Sequence, residues 1–134
     1  MEIAQVKDVM TDTAITVGPD ATIETATKLI TENKFNGVPV IDANKKLVGL
    51  VTEYNLINEL MNGNAKDIMM LKTAEVMDKT PLTLYFDDTY ETALKLFNDH
   101  HSVNPVPVID HDSKLVGVLS RYDMLKLIKI YGHS

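Results

Sequence analysis

Two segments pair a hydroxyl with an amide or acid three residues further on: Gly49-Leu-Val-Thr52-Glu-Tyr-Asn55 and Gly117-Val-Leu-Ser120-Arg-Tyr-Asp123. Where an apolar run gives way to a helix, a hydroxyl and an acceptor at this spacing can bind a sugar, and the free N–H groups of the helix start attract an anion. The spacing is also that of a capping box, in which Ser120 caps the helix and Asp123 reaches back to a backbone N–H; the two uses are compatible. Arg121 is the only arginine in the chain. Its guanidinium suits a bidentate phosphate contact, and it suits a solvated surface equally well. Glu53 occupies the matching position of the first segment and disfavours a phosphate there.

Other reactive residue types read more simply. His100 and His101 are neighbours on one helix, point in different directions and have no evident third ligand, so a helix-end surface role is expected instead of a metal site. Met10 and Met77 can touch a base or fill a core, and Tyr54 and Tyr122 can stack on a base or pack a helix start. There is no Gly-x-x-x-x-Gly-Lys loop, nucleophile elbow or His-Glu-x-x-His, and there is no cysteine. No catalytic residue, metal or catalytic cofactor is assigned, and the chain is read as a non-enzyme.

The elements that position these residues come in two copies. Aligning Val9-Met10 with Val76-Met77 continues through Ala14–Ala26 over Pro81–Ala93; after one inserted residue, Val38-Pro-Val-Ile-Asp42 matches Val106-Pro-Val-Ile-Asp110 and Lys46–Asn55 matches Lys114–Asp123. Such a duplication governs the fold. Each copy reads as strand, helix, strand, strand, helix. Ile15 to Val17 is a short strand ended by Gly18-Pro19. A helix capped by Thr22 or Asp20 then presents Ile23, Ala26, Leu29 and Ile30 on one face, as Tyr90, Ala93, Leu96 and Phe97 do in the second copy. Asp42–Lys46 and Asp110–Lys114 are hairpin turns. The last helices run from about Glu53 to Met61 and from about Arg121 to Ile130. The expected fold is α/β (α+β): two pseudo-two-fold-related β-α-β-β-α repeats with packed three-stranded sheets, residues 1–61 and 74–134, joined by a linker at 62–73. Duplication implies two quasi-equivalent clefts, and such junctions favour small ligands.

Composition sets outer bounds. The 134 residues carry 19 acidic and 13 basic side chains, a net charge of −6, and are 45% apolar. This describes a globular protein and disfavours a nucleic-acid surface, which needs a basic stripe. No apolar run reaches the ~20 residues of a membrane span, and the N-terminus lacks the order of a signal peptide, so a cytoplasmic location without membrane insertion is expected.

The doubled unit, the Val-Met openings, the Val-Pro-Val-Ile-Asp runs and the Gly-x-x-Ser/Thr-x-x-Asp/Asn ends resemble a tandem pair of cystathionine-β-synthase (CBS) domains, or Bateman module, over about Val6 to Ile128. The resemblance implies a regulatory module that binds an adenosine nucleotide (AMP, ADP or ATP) or S-adenosylmethionine, forms a homodimer and acts on a separate protein whose identity stays open. Carried over by position, Asp123 matches a ribose-binding aspartate, Ser120 a hydroxyl on ribose or phosphate, Thr83 a threonine near the phosphates, and Asn104, Pro105 and Val106 the strand edge that lines the base. In the first repeat the same roles fall to Asn55, Thr52, Thr16 and the segment Asn36, Gly37 and Val38. Asn55 lacks the charge that strengthens a bond to a ribose hydroxyl, so this is the weaker site. Pro105, where the first repeat has Gly37, offers no N–H to a base. These departures also fit a ligand-free dimerisation or docking scaffold.

Overall fold

The computed structural model describes residues 3–63 and 65–132. In chain order its elements are α1 (Val6–Val9), α2 (Ile23–Asn33), β1 (Gly37–Ile41), β2 (Leu47–Thr52), α3 (Glu53–Asn62), α4 (Ala65–Ile68), α5 (Thr73–Val76), β3 (Leu84–Tyr85), α6 (Tyr90–Asp99), β4 (Val106–Ile109), β5 (Leu115–Leu119), α7 (Arg121–Met124) and α8 (Lys126–Tyr131). They form two compact units, one of residues 15–81 and the other of residues 1–14 with 82–134. Repeats and packed units thus divide the chain differently: the opening segment with α1 packs with the second repeat, and its counterpart α5 packs with the first.

In the unit of residues 15–81, Thr22 caps α2 by accepting from the Thr25 N–H at 3.3 Å. The apolar face of α2 buries Ala26 and Ile30 against Val17, Val38, Val40 and Val51. β1 and β2 pair antiparallel from Gly37 opposite Thr52 to Ile41 opposite Leu47. Between them Asp42 Oδ1 accepts from the N–H groups of Asn44 (2.8 Å) and Lys46 (3.0 Å), an Asx turn that the sequence indicates.

The expected strand at Ile15–Val17 is reduced to a single parallel bridge between Val17 and Val40. Its counterpart β3 pairs fully with β4 beside β5, giving the three-stranded order β3-β4-β5. The difference has a covalent cause. Phe86 donates its N–H to Ile109 O at 3.1 Å, and the residue matching Phe86 in the first repeat is Pro19, which has no N–H to give.

The other unit buries Val6, Val9, Leu84, Ala93, Phe97, Val106, Val108, Leu119 and Leu127 in one core. Backbone bonds seat its opening segment: the N–H groups of Val6 and Lys7 donate to Asp88 O and Phe86 O, and Thr11 and Val118 exchange two bonds of 2.9 Å. The expected continuous last helix is broken at Leu125, whose N–H bonds Tyr122 O three residues back, so α7 and α8 meet at a tight turn. Among the described residues no helix is long and apolar enough to cross a membrane.

Candidate functional site

At the end of β5 the chain passes from Leu119, in the core, into α7. Ser120 has extended backbone angles, its Oγ accepts the Asp123 N–H at 3.0 Å, and Asp123 Oδ2 accepts the Ser120 N–H at 3.0 Å. The capping box read from the sequence is therefore formed. The Asp123 side chain is only 7% exposed, and two further donors converge on it. The Thr11 hydroxyl lies 3.2 Å from Oδ1 and 3.3 Å from Oδ2, and Lys126 Nζ lies 3.2 Å from Oδ1. Lys126 Nζ also donates to Val9 O at 2.8 Å. A buried carboxylate must be matched by donors of this kind, and charge-assisted bonds are the stronger ones.

Neither Thr11 nor Lys126 stands out in the sequence. Thr11 follows the Val9-Met10 opening, which aligns with Val76-Met77, and its position beside Asp123 comes from the bridge to Val118. Lys126 is three residues after Asp123, a spacing that places both on one side of a helical turn.

Arg121 has a use that differs from both sequence readings. Its Nη2 donates to the carbonyls of Phe97 (3.1 Å), His100 (2.9 Å) and His101 (2.7 Å), and its guanidinium lies 5.1 Å from the Phe97 ring centroid. A cation at the carbonyl end of α6 satisfies acceptors that a helix leaves open and complements the helix dipole. Arg121 N–H in turn donates to Asn104 Oδ1 at 3.2 Å, which ties the entry to β4 to the start of α7. Pro105 and Val106 are buried, Val106 in the core. Thr83 is half-buried just before β3, and its hydroxyl has no hydrogen-bond partner among the described residues. The structure thus joins Ser120 with Asp123 and Asn104 with Arg121, and it shows no bond from Thr83 to either pair.

The first repeat builds the matching site with neutral groups. Thr52 Oγ1 accepts the Asn55 N–H at 3.2 Å, and Asn55 Oδ1 accepts from the N–H and hydroxyl of Thr52, both at 2.8 Å. Asp78 occupies the position equivalent to Thr11 and accepts the Thr80 N–H at 3.0 Å. Where the second repeat sets a hydroxyl donor against a carboxylate, the first has a carboxylate at the donor's position and an amide in place of the acid, with no bond between them among the described residues. Asn36 is exposed and its carbonyl accepts the Glu53 N–H at 3.0 Å; Gly37 and Val38 are buried in β1, and Thr16 is half-buried.

Asp87 and Asp88 lie in the turn before α6. Asp88 Oδ2 accepts the Tyr85 N–H at 2.8 Å, and Asp87 Oδ2 lies 2.9 Å from Nε2 of His111 on the β4–β5 hairpin. The His111 ring stacks on Tyr85 at 4.7 Å. The Asp87 hydrogen bond raises the His111 pKa above the ordinary histidine value, and the same bond lowers that of Asp87. His111 therefore adds stability that is complete below its unfolded pKa and disappears as pH rises through its higher folded pKa. Asp87 adds stability above its unfolded pKa, lost as pH falls through its depressed folded pKa. The pair works between those two folded-state limits. The expected result is an NMR titration of His111 whose midpoint falls in Asp87→Asn; an unchanged midpoint would refute the pairing. Among the described residues no three His, Cys, Asp or Glu side chains are grouped to hold a metal.

Fold and site define a duplicated α/β module in which each repeat carries a hydroxyl-capped helix start. The CBS domain family model matches residues 6–62 and 74–130, and the chain belongs to the CBS-domain family. An uncharacterized protein of Methanocaldococcus jannaschii is 32% identical over 113 residues, covering 84% of this chain and 36% of that protein. The chain spans about a quarter to a third of several such archaeal relatives, some of them named as enzymes. A CBS domain-containing protein of Dictyostelium discoideum is 26% identical, and there the match covers 92% of this chain and 90% of the relative. Among solved structures, CBSX2 of Arabidopsis thaliana in its complex with AMP superposes with a TM-score of 0.81 at 30% identity, over 96% of this chain and 98% of CBSX2.

Proposed function

We propose that the chain is a regulatory module that binds an adenine nucleotide, AMP, ADP or ATP, and acts on a separate partner protein. The main site comprises Thr83, Asn104, Pro105, Val106, Ser120, Arg121 and Asp123; Thr16, Asn36, Gly37, Val38, Thr52 and Asn55 form the weaker one. The observation that carries this reading is the Asp123 carboxylate, charged and ringed by hydroxyl and ammonium donors, at the head of α7 in a chain 30% identical to a protein crystallised with AMP. Ribose hydroxyls are donors of the kind that carboxylate already accepts. A ligand transmits a signal only through a difference in affinity between two states, so the partner must respond to that difference.

A homodimer belongs to the same proposal. Tyr54, Ile57 and Leu60 on α3 are 75%, 56% and 53% exposed, and their matches Tyr122 on α7, Leu125 at the break and Ile128 on α8 are 79%, 53% and 65% exposed. Two apolar faces repeated at the same positions suit a second copy of the chain.

The scaffold reading draws its support from Arg121, whose Nη2 already serves three carbonyls. Thermal melts separate the two. A nucleotide at a hundredfold over its Kd stabilises by about 2.7 kcal/mol, so AMP, ADP or ATP at millimolar concentration is expected to raise Tm by several degrees. No shift with any of them but a shift with S-adenosylmethionine points to that ligand, and no shift with any of the four leaves the scaffold.

A further inference from the structure

The donors on Asp123 have a consequence for affinity, which rests on the reading of Asp123 as the acceptor for a nucleotide's ribose. A carboxylate offers about four acceptor positions. The Ser120 N–H takes one, Lys126 Nζ another, and the Thr11 hydroxyl straddles the remaining space on both oxygens. The Ser120 bond belongs to the helix cap, and Lys126 is also bound to Val9 O. Thr11 is held differently: its backbone is fixed by the bridge to Val118, while its side chain needs only a rotation about χ1 to leave the carboxylate. Thr11 is itself exposed at the surface, so its hydroxyl can turn to water.

We propose that the Thr11 hydroxyl is a built-in competitor for Asp123, occupying in the ligand-free protein the place that a hydroxyl of a ribose diol takes on binding. Thr11 then sets affinity as a positioning residue. Its bond must be surrendered when sugar binds, so it stabilises the empty state and weakens binding by the same bond. The first repeat lacks the device, because Asp78 at the equivalent position brings no hydroxyl to Asn55.

Thr11→Val keeps shape and branching and removes the competing donor. Two effects of opposite sign are expected: the ligand-free protein melts at lower temperature, and AMP binds about three- to tenfold more tightly, the range that one net hydrogen bond spans. Thr11→Ser keeps the hydroxyl and should retain wild-type affinity; Thr11→Ala serves if the valine variant fails to fold. The decisive control is 2′,3′-dideoxy-AMP, whose sugar has no diol and whose affinity Thr11→Val should leave unchanged. Isothermal titration of each variant with both ligands reads the result. If Asp123→Asn weakens AMP binding while Thr11→Val leaves it unchanged or weaker, or tightens both ligands equally, the competition is refuted and the site stands. If wild-type protein binds no AMP, or Asp123→Asn leaves binding unchanged, the ribose reading fails and takes the competition with it.

Discussion

Gly117→Ala is expected to destabilise the protein by about 2–3 kcal/mol, near the upper part of the range for overpacking a close contact. A Cβ at Gly117 would sit 2.6 Å from Thr11 O, 3.0 Å from Met10 Sδ and 3.4 Å from Asp12 Cα. The first of these is backbone, held by the two Thr11–Val118 bonds, so it cannot swing aside as a flexible side chain would. The same geometry recurs at Gly49, where a Cβ would meet Asp78 O at 2.9 Å and the sulfur of Met77. The glycine in each repeat is there because a neighbouring chain segment lies directly on it. Urea denaturation with an unchanged slope and a lowered midpoint checks this. A loss under about 0.5 kcal/mol, the range of an ordinary surface change, would mean the opening segment is not seated as described.

Asp123→Ala is expected to cost about 2–3 kcal/mol, beyond the ~1 kcal/mol of a lost helix cap by the worth of the charge-assisted bonds that the carboxylate also accepts. The difference comes from Thr11 and Lys126, which lose their acceptor along with the Ser120 N–H. Asp123→Asn should fall between the two, because its amide oxygen can still accept the Ser120 N–H, as Asn55 does for Thr52 at 2.8 Å. The amide N–H groups, however, face Lys126, which can only donate, while the Thr11 hydroxyl can turn to accept one of them. Chemical denaturation of the two variants should rank wild type above Asn above Ala; equal stability of Ala and wild type would show that Asp123 has no structural role. An effect of this size also means that nucleotide affinity at Asp123 must be measured on the folded fraction, since lost stability would otherwise pass for lost binding.

Much of this could be read from the residues because the interactions are local. The Asp42 and Asp110 turns, the Thr22 cap, the Ser120–Asp123 box and the apolar face of α2 each depend on residues within four or so positions of one another. What escaped depends on distant partners. Asp123 reveals its capping role by spacing, yet its bond to Thr11 joins residues 112 apart, and nothing in a threonine after Val-Met says which carboxylate it will meet. The lone arginine suits phosphate and solvent equally by type, and the carbonyls it bonds carry no sequence signal, since every residue has one. The loss of the first strand was within reach, since Pro19 stands where an N–H is needed. The pairing of the opening segment with the second repeat was not, because Val9-Met10 and Val76-Met77 are chemically interchangeable and either fits against a Val-Gly strand.

That pairing also orders the birth of the molecule. The unit of residues 15–81 is contiguous, and every strand and helix it needs has left the ribosome once Pro81 has emerged. Ala4, Val6 and Thr11 emerge earlier still, but their partners Tyr131, Asp88 and Val118 come up to 127 positions later. Contacts so far apart in sequence close slowly, and domains generally fold as units during synthesis. The opening segment therefore settles only after the strands and helices that follow residue 82 have been made, and Asp123 gains Thr11 after the unit of residues 15–81 is complete.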